Sequence, residues 1–135
     1  MPAFVDVELD ARALPGFGPD DVIGEVQEIV GDDVELELVR YDPGPPEPRL
    51  DQFETLAAII RELDPGSVPV PLLQAGVTDA RFFAQLGIQN YGFLPLKLPG
   101  DFRFTTLIHA ADERVPADAI EFGAEAVFRA LQRLG

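Results

Sequence analysis

The run Tyr41-Asp42-Pro43-Gly44-Pro45-Pro46-Glu47-Pro48-Arg49 admits neither a helix nor a strand ladder. Each proline fixes its own φ and lacks the N–H that either structure needs. The run therefore predicts a linker over residues 41–50, with one unit before it (1–40) and another after it (51–135). At 135 residues the chain is a single domain's worth, or two small lobes, and is long enough to bury a core.

Residues 3–10 alternate. Ala3, Val5, Val7 and Leu9 fall on one face and Asp6, Glu8 and Asp10 on the other, the pattern of a half-buried strand. Gly18-Pro19-Asp20-Asp21 then reads as a helix start, with proline at the first helical position and acids at the positive end of the dipole. Val22, Ile23, Val26, Ile29 and Val30 make its apolar stripe, and Gly31 is placed to stop it. Residues 34–39 alternate again, so the first unit reads as strand, helix, strand.

Beyond the linker, Asp51 and Glu54 look like a capping box on a helix striped by Phe53, Leu56, Ile59, Ile60 and Leu63, which Asp64-Pro65-Gly66 ends. Residues 68–73 hold Pro69 and Pro71 and make at best an edge or irregular strand. A short helix is expected from Thr78 to about Leu86, with strands over 88–94 and 104–109. A long helix over 116–134 carries the stripe Ile120, Gly123, Val127, Leu131 and Leu134. Strands alternating with helices predict an α/β fold for the second unit too.

The formal net charge of −14 argues against nucleic acid or an anionic membrane as partner, since both repel such a body. With no cysteine, disulfides and thiolate metal sites are excluded, leaving histidine and carboxylates for any zinc site. No apolar run approaches the ~20 residues of a membrane helix, and residues 1–10 lack the pattern of a signal peptide. The expectation is a cytoplasmic protein.

Three segments carry chemistry. The first, Ile108-His109-Ala110-Ala111-Asp112-Glu113-Arg114-Val115-Pro116, holds the chain's single histidine between an expected strand and a helix. By itself that imidazole reads more readily as a hydrogen-bonded loop residue than as a metal ligand. Asp112 and Glu113 read as acids stabilising a helix start. The second, Gly76-Val77-Thr78-Asp79-Ala80-Arg81, offers backbone N–H groups at a helix start and a cation one turn in. That makes either a carboxylate-binding corner or a cap beside a solvated arginine. The third is Asp10-Ala11-Arg12-Ala13-Leu14-Pro15-Gly16.

Together and in this order, these segments resemble the zinc-dependent amidohydrolases and peptidases typified by acetylornithine deacetylase, succinyl-diaminopimelate desuccinylase, aminoacylase and carboxypeptidase G. The resemblance implies that His109 ligates one of two zinc ions, with Asp112 and Glu113 as helix-start acids beside it. It implies that Gly76, Thr78 and Arg81 border the substrate pocket, and that Arg12, in an acidic-x-Arg-x-x-Pro run, reaches a substrate carboxylate. For Arg12 the alternative is a surface arginine flanking a turn. The fold implied is the strand–helix–strand half of a lid/dimerisation domain (1–40), then the C-terminal α/β part of a catalytic domain (51–135).

A two-zinc site of this kind also needs an upstream His-x-Asp motif, a bridging aspartate and a Glu-Glu pair, and one histidine cannot serve them all. The resemblance thus implies the C-terminal portion of an enzyme hydrolysing N-acyl amino acids or small peptides that carry a free carboxylate. Zinc would belong to the intact enzyme, with none bound tightly by this chain alone. The portion would be inactive by itself and paired as a homodimer through its first 40 residues. The alternative is a non-catalytic α/β binding or dimerisation module derived from such an enzyme.

Overall fold

A computed structural model describes residues 4–44 and 48–135. Ala3 of the expected first strand and Pro45, Pro46 and Glu47 of the expected linker lie outside the described residues. The helices are α1 (Pro19–Val30), α2 (Phe53–Leu63), α3 (Ala80–Gln85), α4 (Phe104–Leu107) and α5 (Ala117–Leu134). The chain divides into two units. The first takes the described residues up to Arg49 together with Leu73–Asn90, and the second takes Leu50–Leu72 with Tyr91–Gly135.

The expected α/β architecture is overturned, because the described residues contain no strand. Residues 4–10, 34–39 and 88–94 run as irregular chain, so neither the strand–helix–strand unit over 1–40 nor the α/β arrangement over 51–135 is present. Alternation says which side of a strand would be buried, but a strand exists only where a second one accepts its hydrogen bonds. Among the described residues, the backbone hydrogen bonds outside the helices are local turns. The one spanning most residues runs from the Ile88 N–H to the Phe83 carbonyl.

Residues 104–109 depart furthest from expectation, since α4 forms where a strand was expected. The Arg103 carbonyl accepts from both the Thr106 N–H, at 3.2 Å, and the Thr106 hydroxyl, at 2.9 Å. This is the local side-chain competition through which threonine draws a backbone out of extended structure.

The first unit contains α1 and α3, and none of its described residues is buried. The Asp21 carboxylate accepts the Gly18 N–H at 2.7 Å at the head of α1. Gly31 ends that helix with φ 75°, and its N–H reaches the Gln27 carbonyl at 2.9 Å.

The second unit holds the core, where Leu56 and Ile59 of α2 pack on Ala126 and Ala130 of α5. Ile60, Leu63, Tyr91 and Phe93 close over them. On α5 the buried residues are Ala119, Gly123, Ala126 and Ala130, whereas Ile120 and Leu131 of the expected stripe stand outside. Small side chains let helices approach closely, so α2 supplies the bulk and α5 the flat surface. The head of α2 is also held differently from expectation: the Tyr91 hydroxyl accepts the Gln52 N–H at 2.9 Å, and Glu54 pairs with Arg61.

Charges tie the same two helices together. Arg133 donates to Glu62 at 2.6 Å, Arg129 lies 3.6 Å from that carboxylate, and Arg129 also donates to Glu125 at 2.7 Å. The Arg133 hydrogen bond, first among the influences on Glu62, holds its carboxyl below the ordinary range; the same bond holds the Arg133 guanidinium above its own.

Candidate functional site

The expected site residues fall into two groups. Gly76, Thr78, Arg81 and Arg12 belong to the first unit and His109 to the second.

Thr78 and Arg81 come together on one turn. The Arg81 N–H reaches the Thr78 carbonyl at 3.3 Å, and the Thr78 hydroxyl oxygen accepts the Ala80 N–H at 3.3 Å. Gly76 lies in an exposed bend just before this turn. Gly87 stops α3 beyond it with φ 75°.

Arg81 is only partly exposed (29%), and its guanidinium carbon sits 4.6 Å from the centroid of the Phe82 ring. Stacking on an aromatic face leaves the edge of the guanidinium, where its N–H groups lie, open to an acceptor. The Arg81 Nε is buried and has no hydrogen-bond partner among the described residues. Such an orphaned donor costs about 1–3 kcal/mol. One carboxylate stands close: Asp42 Oδ2 lies 3.5 Å from Arg81 Nη1 and 2.8 Å from Arg40 Nη2. Sequence reasoning missed Asp42 and Arg40, which lie at the linker's edge. Only the Arg40-x-Asp42 spacing hinted at a local pair, and nothing in it pointed to Arg81.

Arg12 is engaged elsewhere, donating to Asp10 two residues before it. That pair is local and exposed.

His109 follows α4 in a left-handed conformation, φ 58°, the described non-glycine residue with positive φ. Holding an L-residue there costs roughly 1–2 kcal/mol, though histidine tolerates the region better than most. The Glu113 carboxylate accepts the His109 N–H at 3.3 Å, and the His109 side chain is exposed. Beside this turn lies an open hollow of ≈ 320 Å³ walled by Leu96, Phe104, Leu107, Ile108 and Val115, with Glu113 and Arg114 as its polar lining.

Among the described residues no three His, Cys, Asp or Glu side chains gather where they could hold a metal ion. A zinc shell takes three or four such donors. The donor set here does not fit the ion, and no catalytic step runs through one.

Comparison with known proteins places these segments. The model of peptidase family M20/M25/M40 matches residues 6–133. The chain belongs to that family. It is 27% identical over 139 aligned positions to the human N-fatty-acyl-amino acid synthase/hydrolase PM20D1, a match covering 98% of this chain and 27% of that protein. The chain thus spans about a quarter of the length of the curated relative it matches. No solved structure matches it. The family is one of hydrolases whose members generally use zinc, which agrees with the resemblance carried by Gly76-x-Thr78-Asp79-x-Arg81 and His109. No described helix is long and apolar enough to cross a membrane.

Proposed function

We propose that this chain is the C-terminal portion of a metal-dependent hydrolase acting on N-acyl amino acids or small peptides with a free carboxylate, and that it does not hydrolyse amides by itself. The observation that carries this reading is Arg81: a partly sheltered cation, stacked on Phe82 and met by a single oxygen of Asp42, suits the carboxylate such substrates share. Family membership supports the hydrolase class, and the name of the human relative specifies an N-acyl amino acid as that protein's substrate. In this reading Gly76 and Thr78 border the substrate, Arg12 is a second carboxylate contact, and His109 is one ligand of zinc whose other ligands and general base come from a preceding half. Residues 1–40 would then be part of a lid or dimerisation region, 41–50 a linker and 51–135 part of the catalytic domain, in a cytoplasmic enzyme.

Purified chain supplied with zinc should turn over neither N-acetyl amino acids nor dipeptides above a His109→Ala control. Calorimetry should find no tight, stoichiometric zinc, because one imidazole with scattered carboxylates does not close a shell. Joined to an upstream half bearing the His-x-Asp motif, it should gain hydrolysis that His109→Ala lowers at least ~100-fold, the scale of losing a group central to catalysis. His109-dependent turnover by the isolated chain would sink the reading of inactivity, and no turnover in the joined protein would sink the reading as a hydrolase portion.

A second reading, a non-catalytic binding or dimerisation module, is favoured by one feature: Phe4, Val5, Val7 and Leu9 all stand exposed. Apolar surface of this kind in one stretch marks a contact site. For either reading we infer a homodimer through the first 40 residues. Sedimentation should show association in the micromolar range that Val5→Asp and Val7→Asp weaken. A monomer persisting at high micromolar concentration and indifferent to both changes would exclude the dimer.

A further inference from the structure

We propose that Arg40 and Arg81 form a cradle for a carboxylate, that the Asp42 side chain is its internal occupant, and that an incoming carboxylate ligand binds by displacing it. The proposal rests on the reading above only for the identity of the ligand.

Three observations converge. First, one oxygen of Asp42 is shared: Oδ2 lies 2.8 Å from Arg40 Nη2 and 3.5 Å from Arg81 Nη1. Two cations from segments far apart in sequence thus meet at one anion within the first unit. Second, the occupancy of Arg81 is incomplete. Asp42 reaches Nη1 at ion-pair distance through a single oxygen, and the Nε–H, on the opposite side of the guanidinium, has no acceptor among the described residues. A carboxylate that fits an arginine edge engages two N–H groups in parallel, a geometry that Asp42 does not supply here. Third, the guanidinium is held for such an approach, with its face on Phe82 and its backbone fixed by the turn from Thr78. Arg81 therefore holds Asp42 through one oxygen where a fitted carboxylate makes two parallel hydrogen bonds.

Asp42 follows Arg40 by two residues and precedes the proline run, on a segment with no helix or ladder to hold it. A tethered carboxylate competes with a free one through its effective concentration, so it raises the ligand's apparent dissociation constant without closing the cradle. Because Asp42 is nearly half exposed (43%), the competition is worth a several-fold change rather than a blockade. Displacement frees the 41–44 segment to move aside, while the ligand keeps both arginines.

The test titrates the purified chain with N-acetylglycine and follows the arginine Nε–Hε signals by NMR. The Arg81 signal should shift saturably, and N-acetylglycinamide, which lacks the carboxylate, should not move it. Asp42→Asn should tighten binding about three- to fivefold, the size of losing a surface competitor. Asp33→Asn removes the same unit of charge from the same unit of the chain and should change it less than about twofold. Arg81→Gln should abolish the response, and Arg40→Gln should weaken it. Asp42 is exposed and outside every helix, so the substitution does not threaten folding. The proposal is overturned if Asp42→Asn binds no more tightly than Asp33→Asn, if Arg81→Gln leaves binding intact, or if neither the parent nor Asp42→Asn responds. The readout is binding rather than turnover. A cradle that binds while the joined protein fails to hydrolyse would sink the hydrolase reading alone, and the reverse result would sink only the cradle.

Discussion

Ile59→Ala is expected to destabilise the second unit by about 2–5 kcal/mol, the range for truncating a fully buried aliphatic side chain. Ile59 is the largest completely enclosed side chain among the described residues. Its neighbours across the helix pair are Ala126 and Ala130, which have no length with which to fill the space it leaves. A site that cannot collapse keeps its cavity, which places the loss toward the upper part of that range. Leu131→Ala removes as much apolar bulk from a side chain that is 68% exposed, and should cost no more than about 0.5 kcal/mol. Urea unfolding followed at 222 nm, with Tyr91 fluorescence in a Tyr41→Phe background as a second probe, separates the two. Equal midpoints for Ile59→Ala and Leu131→Ala would mean that the α2–α5 contact is not the core.

The contrast between Ile59 and Leu131 also shows what the sequence conceals. The limits of α1, α2, α3 and α5 were legible because they depend on local chemistry, whereas α4 lies where a strand was expected. Pro19 with its following aspartates opens α1 and Gly31 closes it; Asp64-Pro65-Gly66 ends α2, Gly87 ends α3, and Pro116 precedes α5. Each signal acts within a turn of the residue that carries it. That residues 4–10 and 34–39 form no strand was not legible, because alternation states a preference that only a distant partner can realise. The choice of face on α5 failed for a related reason. The large residues Ile120 and Leu131 drew the expected stripe, yet α2 meets Ala126 and Ala130, and Ala119 and Gly123 are the other buried residues of α5. Hydrophobicity ranks side chains by how much they gain from burial, whereas close helix packing selects them by how little they obstruct.

The candidate site divides along the same line. Thr78 and Arg81 were legible as a pair because a helix turn joins them. The ion pair from Asp42 to Arg81 crosses from the linker's edge to α3, and charge patterning at short spacing gives no sight of it. His109 was legible as an isolated chemical group. Its left-handed backbone was not, since that conformation follows from the turn between α4 and Glu113 rather than from the histidine.

Gly123→Ala should destabilise the second unit by about 1–3 kcal/mol, the scale of overpacking a close contact, although alanine is the better helix former. A Cβ at position 123 would lie 2.6 Å from the Pro95 carbonyl oxygen, with the Leu96 side chain 3.6 Å away. The obstructing atom is backbone, so relief requires moving either the 94–96 segment or α5 itself. The gain in helix propensity, about 1 kcal/mol, works in the opposite direction and is too small to prevail. Gly24 in α1 provides the counter-case, since nothing lies within 4 Å of a Cβ built there. Gly24→Ala should therefore add roughly 0.5–1 kcal/mol to the local stability of α1. Hydrogen exchange of amides in α1 and α5 reads both effects in the same molecule, with protection rising in α1 for Gly24→Ala and falling in α5 for Gly123→Ala. Equal gains at the two glycines would show that helix propensity governs both positions and that Pro95 does not press on α5. Opposite signs would establish Gly123 as the point where the chain before α4 is fitted to the helix that closes the second unit.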